Sequence, residues 1–245
     1  MKKLTGLLLV AGLLFTALTA QNTRGVFGIH EVPPDFVARQ MVLCLEDIGA
    51  DVVKTGMLVS AAIIEAVADV LDQRAPTVPL VVDPVMVAKG GASLLAVEAT
   101  EALLRRLVRR AAVLTPNLPE AEALLGRTIE DVTSMEAAAR DLLEFGPAAV
   151  LLKGGHLEGD RLVDVLATRD GLERFEGHRI ASTSTHGTGC TLASAVACGL
   201  AQGMTVTAAV ARARAYVTEA IATAPGLGHG HGPLNHAHPV APISS

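Results

Sequence analysis

Apolar residues along the chain follow two rhythms, and their alternation sets the expected fold. Over residues 34–45, Phe36, Val37, Met41 and Leu45 can share one helical face. Residues 51–54 read as a short strand. Ser60 can cap a helix running to about Gln73, whose buried stripe is Ile63, Ile64, Val67 and Leu71. Residues 79–82 are apolar enough for a strand covered on both faces. A helix over 96–110 ends on basic residues that complement its dipole. A strand at 112–114, helices over 119–125 and 134–145, and a strand at 148–152 follow. Residues 161–168 and 174–181 read as paired strands with a turn at Asp170-Gly171, and helices over 190–201 and 205–223 close the series. Strands alternating with helices predict an α/β fold, a mostly parallel central sheet with helices on both faces, as one domain over residues 1–245.

The first twenty residues fit that rhythm poorly. Met1-Lys2-Lys3, the apolar run from Leu7 to Phe15, and Leu18-Thr19-Ala20 have the basic, apolar and small-residue regions of a secretory signal. The rival reading is a buried first strand over 4–11, ending at Gly12. No other stretch is long enough for an ordinary membrane span. Composition narrows the function classes. Half of the 245 residues are hydrophobic and 18% are charged, as in a globular protein with one substantial core. Five Phe, one Tyr and no Trp leave no stacking platform for bases, and a net charge of −5 disfavours a polyanion. Nucleic acid is therefore not an expected partner. The three cysteines, Cys44, Cys190 and Cys198, form neither a disulfide framework nor a CxxC metal pair, which points to a reducing compartment.

Four polar clusters fall where the strands end or a helix begins: residues 82–86, 115–120, 152–156 and 185–190. Each alone reads as an ordinary turn. Together they mark the carboxyl edge of the sheet, where α/β proteins bind ligands. Gly187 and Gly189 permit a tight turn, and the free N–H groups of a helix starting near Cys190 would receive a phosphoryl group. The helix dipole should lower the pKa of Cys190, making it a base for a substrate hydroxyl; a small buried Cys at a glycine turn is the bland alternative. The segment is neither a Walker A loop nor a GxGxxG fingerprint.

The strings THGTGCTLASAVA, LTPNLPEAEALLG, DPVMVAKGGASLL, VLLKGGH and AQNTRGV occur in an order that closely resembles the hydroxymethylpyrimidine/phosphomethylpyrimidine kinases of thiamine biosynthesis. These belong to the ribokinase-like superfamily, and the match covers roughly residues 18–238. The resemblance implies a three-layer ribokinase-like fold and a cytoplasmic enzyme, with secretion the lesser reading. It also implies ATP and Mg²⁺ as cofactors, a small pyrimidine as substrate, no membrane partner, and a homodimer. Cys190 would be the catalytic base, and Gly187, Thr188 and Gly189 the anion hole. Asn117 and Glu120 would position Mg²⁺ through water, with Asp83 in the same metal and phosphate region. Lys153 and His186 would lie on the nucleotide side, and Gln21, Met57 and Gly12 on the acceptor side. Related pyridoxal and sugar kinases generally carry Asp where this chain has Cys190. A pyridoxal kinase and a binding relative with impaired catalysis are the alternatives.

One departure bears on activity. The family's Asp-x-Ser-Gly-Gly-Ala-Gly loop and the helix after it have no counterpart between Gly12 and Leu13, where no room exists for a parallel crossover. That loop normally carries an acidic residue contacting the substrate. The tail over 228–238 holds four of the eight His residues. His pairs can bind a transition metal, yet the family has a similar Gly-His-Gly-x-Gly-Pro tail at the nucleotide end.

Overall fold

The computed structural model describes residues 12, 14–86, 96–157 and 159–240. The first-strand reading of residues 4–11 lies outside them; of the signal-like segment over 1–20, residues 12 and 14–20 are described, and residues 17–20 are strand. The described residues open with a hairpin, β1 (Ala17–Asn22) and β2 (Gly25–Glu31), and helix α1 (Pro34–Asp47). Then come β3 (Val53–Thr55), α2 (Ala61–Arg74), β4 (Leu80–Val82), α3 (Val97–Arg106) and a 3-10 turn (Val108–Arg110). β5 (Val113–Leu114), α4 (Leu118–Leu125), α5 (Val132–Leu143) and β6 (Ala149–Leu152) follow. The chain continues through β7 (Arg161–Thr168), β8 (Gly171–His178), α6 (Thr188–Ala201) and α7 (Val206–Ala222).

Six strands make one sheet in the order β3-β4-β5-β6-β7-β8, parallel from β3 to β6 and antiparallel across β7 and β8. Successive strand residues face opposite sides, and here they feed two separate cores. Leu80, Val82, Leu114, Val150 and Leu152 join the core beneath α1 to α5. Val81, Val113, Ala149 and Leu151 join the core beneath α6 and α7. The unbroken apolar runs follow from this, since every position is inside.

Several expectations shift. The stripe Ile63, Ile64, Val67 and Leu71 is buried, but Ser60 caps α2 with its backbone only; its hydroxyl is buried without a partner. Phe36 leaves the buried face of α1 and is 55% exposed, while Val37 and Met41 are covered. The basic end of the 96–110 segment is a 3-10 turn, not a continuation of α3. Tight pairing through the Asp170-Gly171 turn starts β8 earlier than its apolar pattern suggests. The hairpin was not legible as two strands. Both are exposed almost throughout, and a register shift at Ala20/Gln21 breaks the alternation. Among the described residues, no helix is long and apolar enough to cross a membrane.

Candidate active site

The parallel strands end in polar residues that converge on Asp83. Hydrogen bonds continue the ladder beyond the strands: Asp83 N donates to Thr55 O, Thr115 N to Val82 O, and Lys153 N to Pro116 O, all at 2.9 to 3.0 Å. The side chains are thereby held on one edge. Asp83 is 2% exposed. Its Oδ1 accepts from Lys153 Nζ at 3.0 Å and Thr115 Oγ1 at 3.2 Å, and Lys54 Nζ lies 3.7 Å from Oδ2. Burial works against its charge, but the two ammonium groups outweigh it and hold the carboxyl below its usual range. Burial also works against Lys153, and Asp83 and Glu120 more than restore its charge.

Gly187 caps α6 in the left-handed region, at φ +80°, where a side chain would be strained. The helix begins at Thr188, two residues earlier than the sequence pattern suggests, and Cys190 is its third residue. Thr188 Oγ1 donates to Thr185 O and Thr191 Oγ1 to Gly187 O, fixing the turn. A Cβ built on Gly189 would come within 3.1 Å of Lys153 Nζ, so that lysine lies against the glycine turn. Cys190 as a whole residue is exposed, though its thiol is turned inward enough to be desolvated, and its pKa corrects the expectation. Desolvation of the thiol raises it, and the charge of Asp83 raises it further, against the opposite pull of Lys54 and Lys153. The thiol is thus favoured over the thiolate in the free protein. The helix terminus was visible in the sequence, but the distant carboxylate was not.

Asn117 and Glu120 form a capping box at the start of α4: Asn117 N donates to Glu120 Oε2 at 2.7 Å, and Glu120 N to Asn117 Oδ1 at 2.8 Å. Glu120 is 3% exposed. Burial pushes its pKa up to about 7, against the pull of Lys153 and of backbone N–H groups of Asn117 and Met86.

The hairpin closes the other side. Gln21 Nε2 lies 2.9 Å from His186 Nε2, joining two residues assigned to opposite substrates. The tail holds the hairpin tip in place: His231 N donates to Thr23 O at 2.7 Å and His229 N to Thr23 Oγ1 at 3.2 Å. His186 N in turn donates to Gly232 O. Met57 enters through its carbonyl, which accepts from Thr16 Oγ1 at 2.8 Å. Gly12 is exposed, with nothing near the place a side chain would occupy, and is not drawn into this cluster. Lys54 and Thr115 were missed as site residues. Their position at the carboxyl ends of β3 and β5 was the available signal.

Residues 1–235 match the family model for phosphomethylpyrimidine kinase. The chain is 52% identical over 221 residues to a thiamine biosynthesis bifunctional protein of Geobacter sulfurreducens, covering 90% of this chain and 45% of that protein's length. It is 49% identical over 223 residues to the hydroxymethylpyrimidine/phosphomethylpyrimidine kinase of Streptomyces coelicolor, covering 90% of this chain and 81% of that one. The solved structure of the pyridoxal kinase of Staphylococcus aureus in complex with AMP-PCP superposes with a TM-score of 0.82 at 31% identity, covering 90% of this chain and 80% of that one. The α/β architecture is similar to that of ribokinase-like kinases, and the chain belongs to the phosphomethylpyrimidine kinase family.

Proposed function

We propose that this protein transfers the γ-phosphoryl group of ATP to the hydroxymethyl group of 4-amino-5-hydroxymethyl-2-methylpyrimidine, and to the monophosphate so formed. The observation that carries this is Cys190 in the first turn of α6, next to the glycine turn and to Asp83. The N–H groups at the start of α6 face developing negative charge on the transferred group, and Lys153 lies against the same turn. The alcohol oxygen attacks the γ-phosphorus, its proton passes to the Cys190 thiolate, and the bond to the β-γ bridging oxygen breaks, releasing ADP. Gln21 supplies an amide to the heterocycle from the hairpin side.

Magnesium fits this site as an ion carried in on the nucleotide. Glu120 is a buried carboxylate whose charge a cation would favour. Asn117 Oδ1 and Glu120 Oε2 already accept backbone N–H groups, so they suit a water-bridged ion. Asp83, between two lysines, is the poorest of the three as a ligand. The ion would neutralise charge across the nucleotide phosphates.

The test is turnover of the alcohol acceptor with Mg·ATP, followed as ADP release. Because the Cys190 pKa is raised, wild-type kcat/KM should climb with pH through the alkaline range. Cys190→Ala should lose at least about 100-fold, the scale of a positioned base, and lose that climb. A fully active Cys190→Ala protein, or a wild type that prefers pyridoxal, would sink the assignment.

A further inference from the structure

Two lysines approach Asp83, and they differ in a way that separates their tasks. Lys153 Nζ makes a hydrogen bond to Oδ1 at 3.0 Å and lies against Gly189, in the turn at the start of α6. Lys54 Nζ stands 3.7 Å from Oδ2, beyond hydrogen-bond reach. Its side chain is only 18% exposed, and no hydrogen bond to any described residue satisfies its three donors. A largely desolvated ammonium short of acceptors is costly unless an anion completes it.

The position of Lys54 says which anion. It lies in β3, and the chain after it runs through Gly56 to Met57, whose carbonyl is bonded to Thr16 just before the hairpin. That hairpin carries Gln21. Lys54 therefore belongs to the acceptor wall, and Lys153 to the wall of the glycine turn. Both ammonium charges act on Cys190, in the first turn of α6. Gly56 keeps the arrangement possible: a Cβ there would lie 2.8 Å from Lys54 Nζ, so the ammonium folds back over a backbone with no side chain.

We propose that Lys54 is the specificity-determining residue for a phosphomonoester acceptor, binding the phosphate of the singly phosphorylated pyrimidine next to Cys190. This rests on the phosphotransferase reading above and assigns its second acceptor to a named side chain. In the second transfer a monoester oxygen attacks the γ-phosphorus, and the bond to the β-γ bridging oxygen breaks as ADP leaves. The attacking oxygen is already ionised, so no proton has to be taken up. The alcohol needs Cys190 as a base and no anion site; the monoester needs an anion site and no base. Lys54 and Cys190 thus divide the two acceptors between them.

The experiment measures kcat and KM separately for the alcohol and for its monophosphate, using wild type, Lys54→Gln, Lys54→Arg, Gly56→Ala and Cys190→Ala. Lys54→Gln should shift the ratio of kcat/KM values against the monophosphate by roughly 10- to 100-fold, the scale of one lost charge-assisted hydrogen bond, mainly through KM. Lys54→Arg should restore much of the ratio. Gly56→Ala keeps the charge but crowds it, so its ratio should move the same way by a smaller factor, and this covers the case in which Lys54→Gln folds poorly. Cys190→Ala should shift the ratio in the opposite sense. A ratio unchanged in both Lys54→Gln and Gly56→Ala, or moved toward the monophosphate, overturns this inference alone. A wild type that turns over neither acceptor overturns the phosphotransferase reading and this inference with it.

Discussion

Glu120 shows how a single side chain can serve structure and ligand at once. Its carboxylate closes the capping box of α4, yet its burial makes the charge expensive. The pKa rises from 4.5 to about 7 on folding. The sign is opposite to that of an ordinary paired carboxylate. Below 4.5 the group is protonated in both states and costs nothing. Between 4.5 and 7 the unfolded chain releases its proton first, so stability falls as pH rises. Above 7 the penalty is complete, roughly 3 kcal/mol from a shift of this size. Denaturant melts of wild type and Glu120→Gln between pH 5 and 8 should therefore converge or cross as pH rises, the wild type losing ground by up to about that amount. Gln gives up one acceptor at every pH, so the slope of the difference is the readout. Parallel curves would mean that Glu120 is solvated enough to titrate normally. Saturating Mg·ADP should flatten the slope, because a cation near the carboxylate favours its charged form.

At the scale of elements, the layer that presents the glycine turn depends on how closely α6 and α7 approach. A Cβ added to Gly199 in α6 would lie 2.6 Å from Ala209 Cβ and 3.0 Å from Ala209 Cα in α7. Helix propensity alone favours Gly199→Ala by about 1 kcal/mol. Overpacking against a neighbouring backbone costs about 1–3 kcal/mol, and the crowded atoms sit near the main chain, where relief is hard. The second effect should win, leaving Gly199→Ala about 1 kcal/mol less stable in urea melts. A variant more stable than wild type would show that the helices can separate freely. Such contacts are invisible in the sequence, which reads Gly199 as a weak point in a helix. Elsewhere the pattern was informative because burial enforced it. The capping residues Asn117 and Glu120 bracket the start of α4, and the apolar runs at β4 and β6 lie fully inside. The hairpin escaped because its strands bury almost nothing and Phe27 falls at the register shift opposite Ala20/Gln21. Gln21 was placed on the acceptor side by resemblance. Its approach to His186 required the tail to pin Thr23, a long-range closure that no local pattern encodes.

Across the whole molecule, the sheet has to join two cores that share no side chains, and the carboxyl-edge residues need both. A buried ion pair links the layers behind the site. Asp164 of β7 accepts from Gly154 N at 2.8 Å through Oδ1, directly after Lys153 in the chain. Through Oδ2 it accepts from Arg214 Nε of α7, also at 2.8 Å. The two side chains are 8% and 16% exposed, and the guanidinium carbon of Arg214 lies 5.6 Å from the centroid of the Phe175 ring. Replacing Arg214 leaves a buried carboxylate without its counter-charge, which costs about 3–5 kcal/mol. That is a large share of the roughly 5–15 kcal/mol that holds a domain together. Met preserves much of the apolar stem, so Arg214→Met isolates the charge from the packing. At roughly 2–4 °C per kcal/mol for a chain of this length, its melting temperature should drop by about 10 °C. Adding Asp164→Asn should recover part of the loss, because the amide oxygen still accepts from Gly154 N while the unpaired charge is gone. If Arg214→Met melts within about 2 °C of wild type, water must be solvating Asp164 and the pair is a surface one in effect. If the double variant is the less stable protein, the negative charge of Asp164 stabilises the fold even without Arg214, by strengthening the hydrogen bond it accepts from Gly154 N. The strand end that presents Lys153 would then be held by that hydrogen bond rather than by α7.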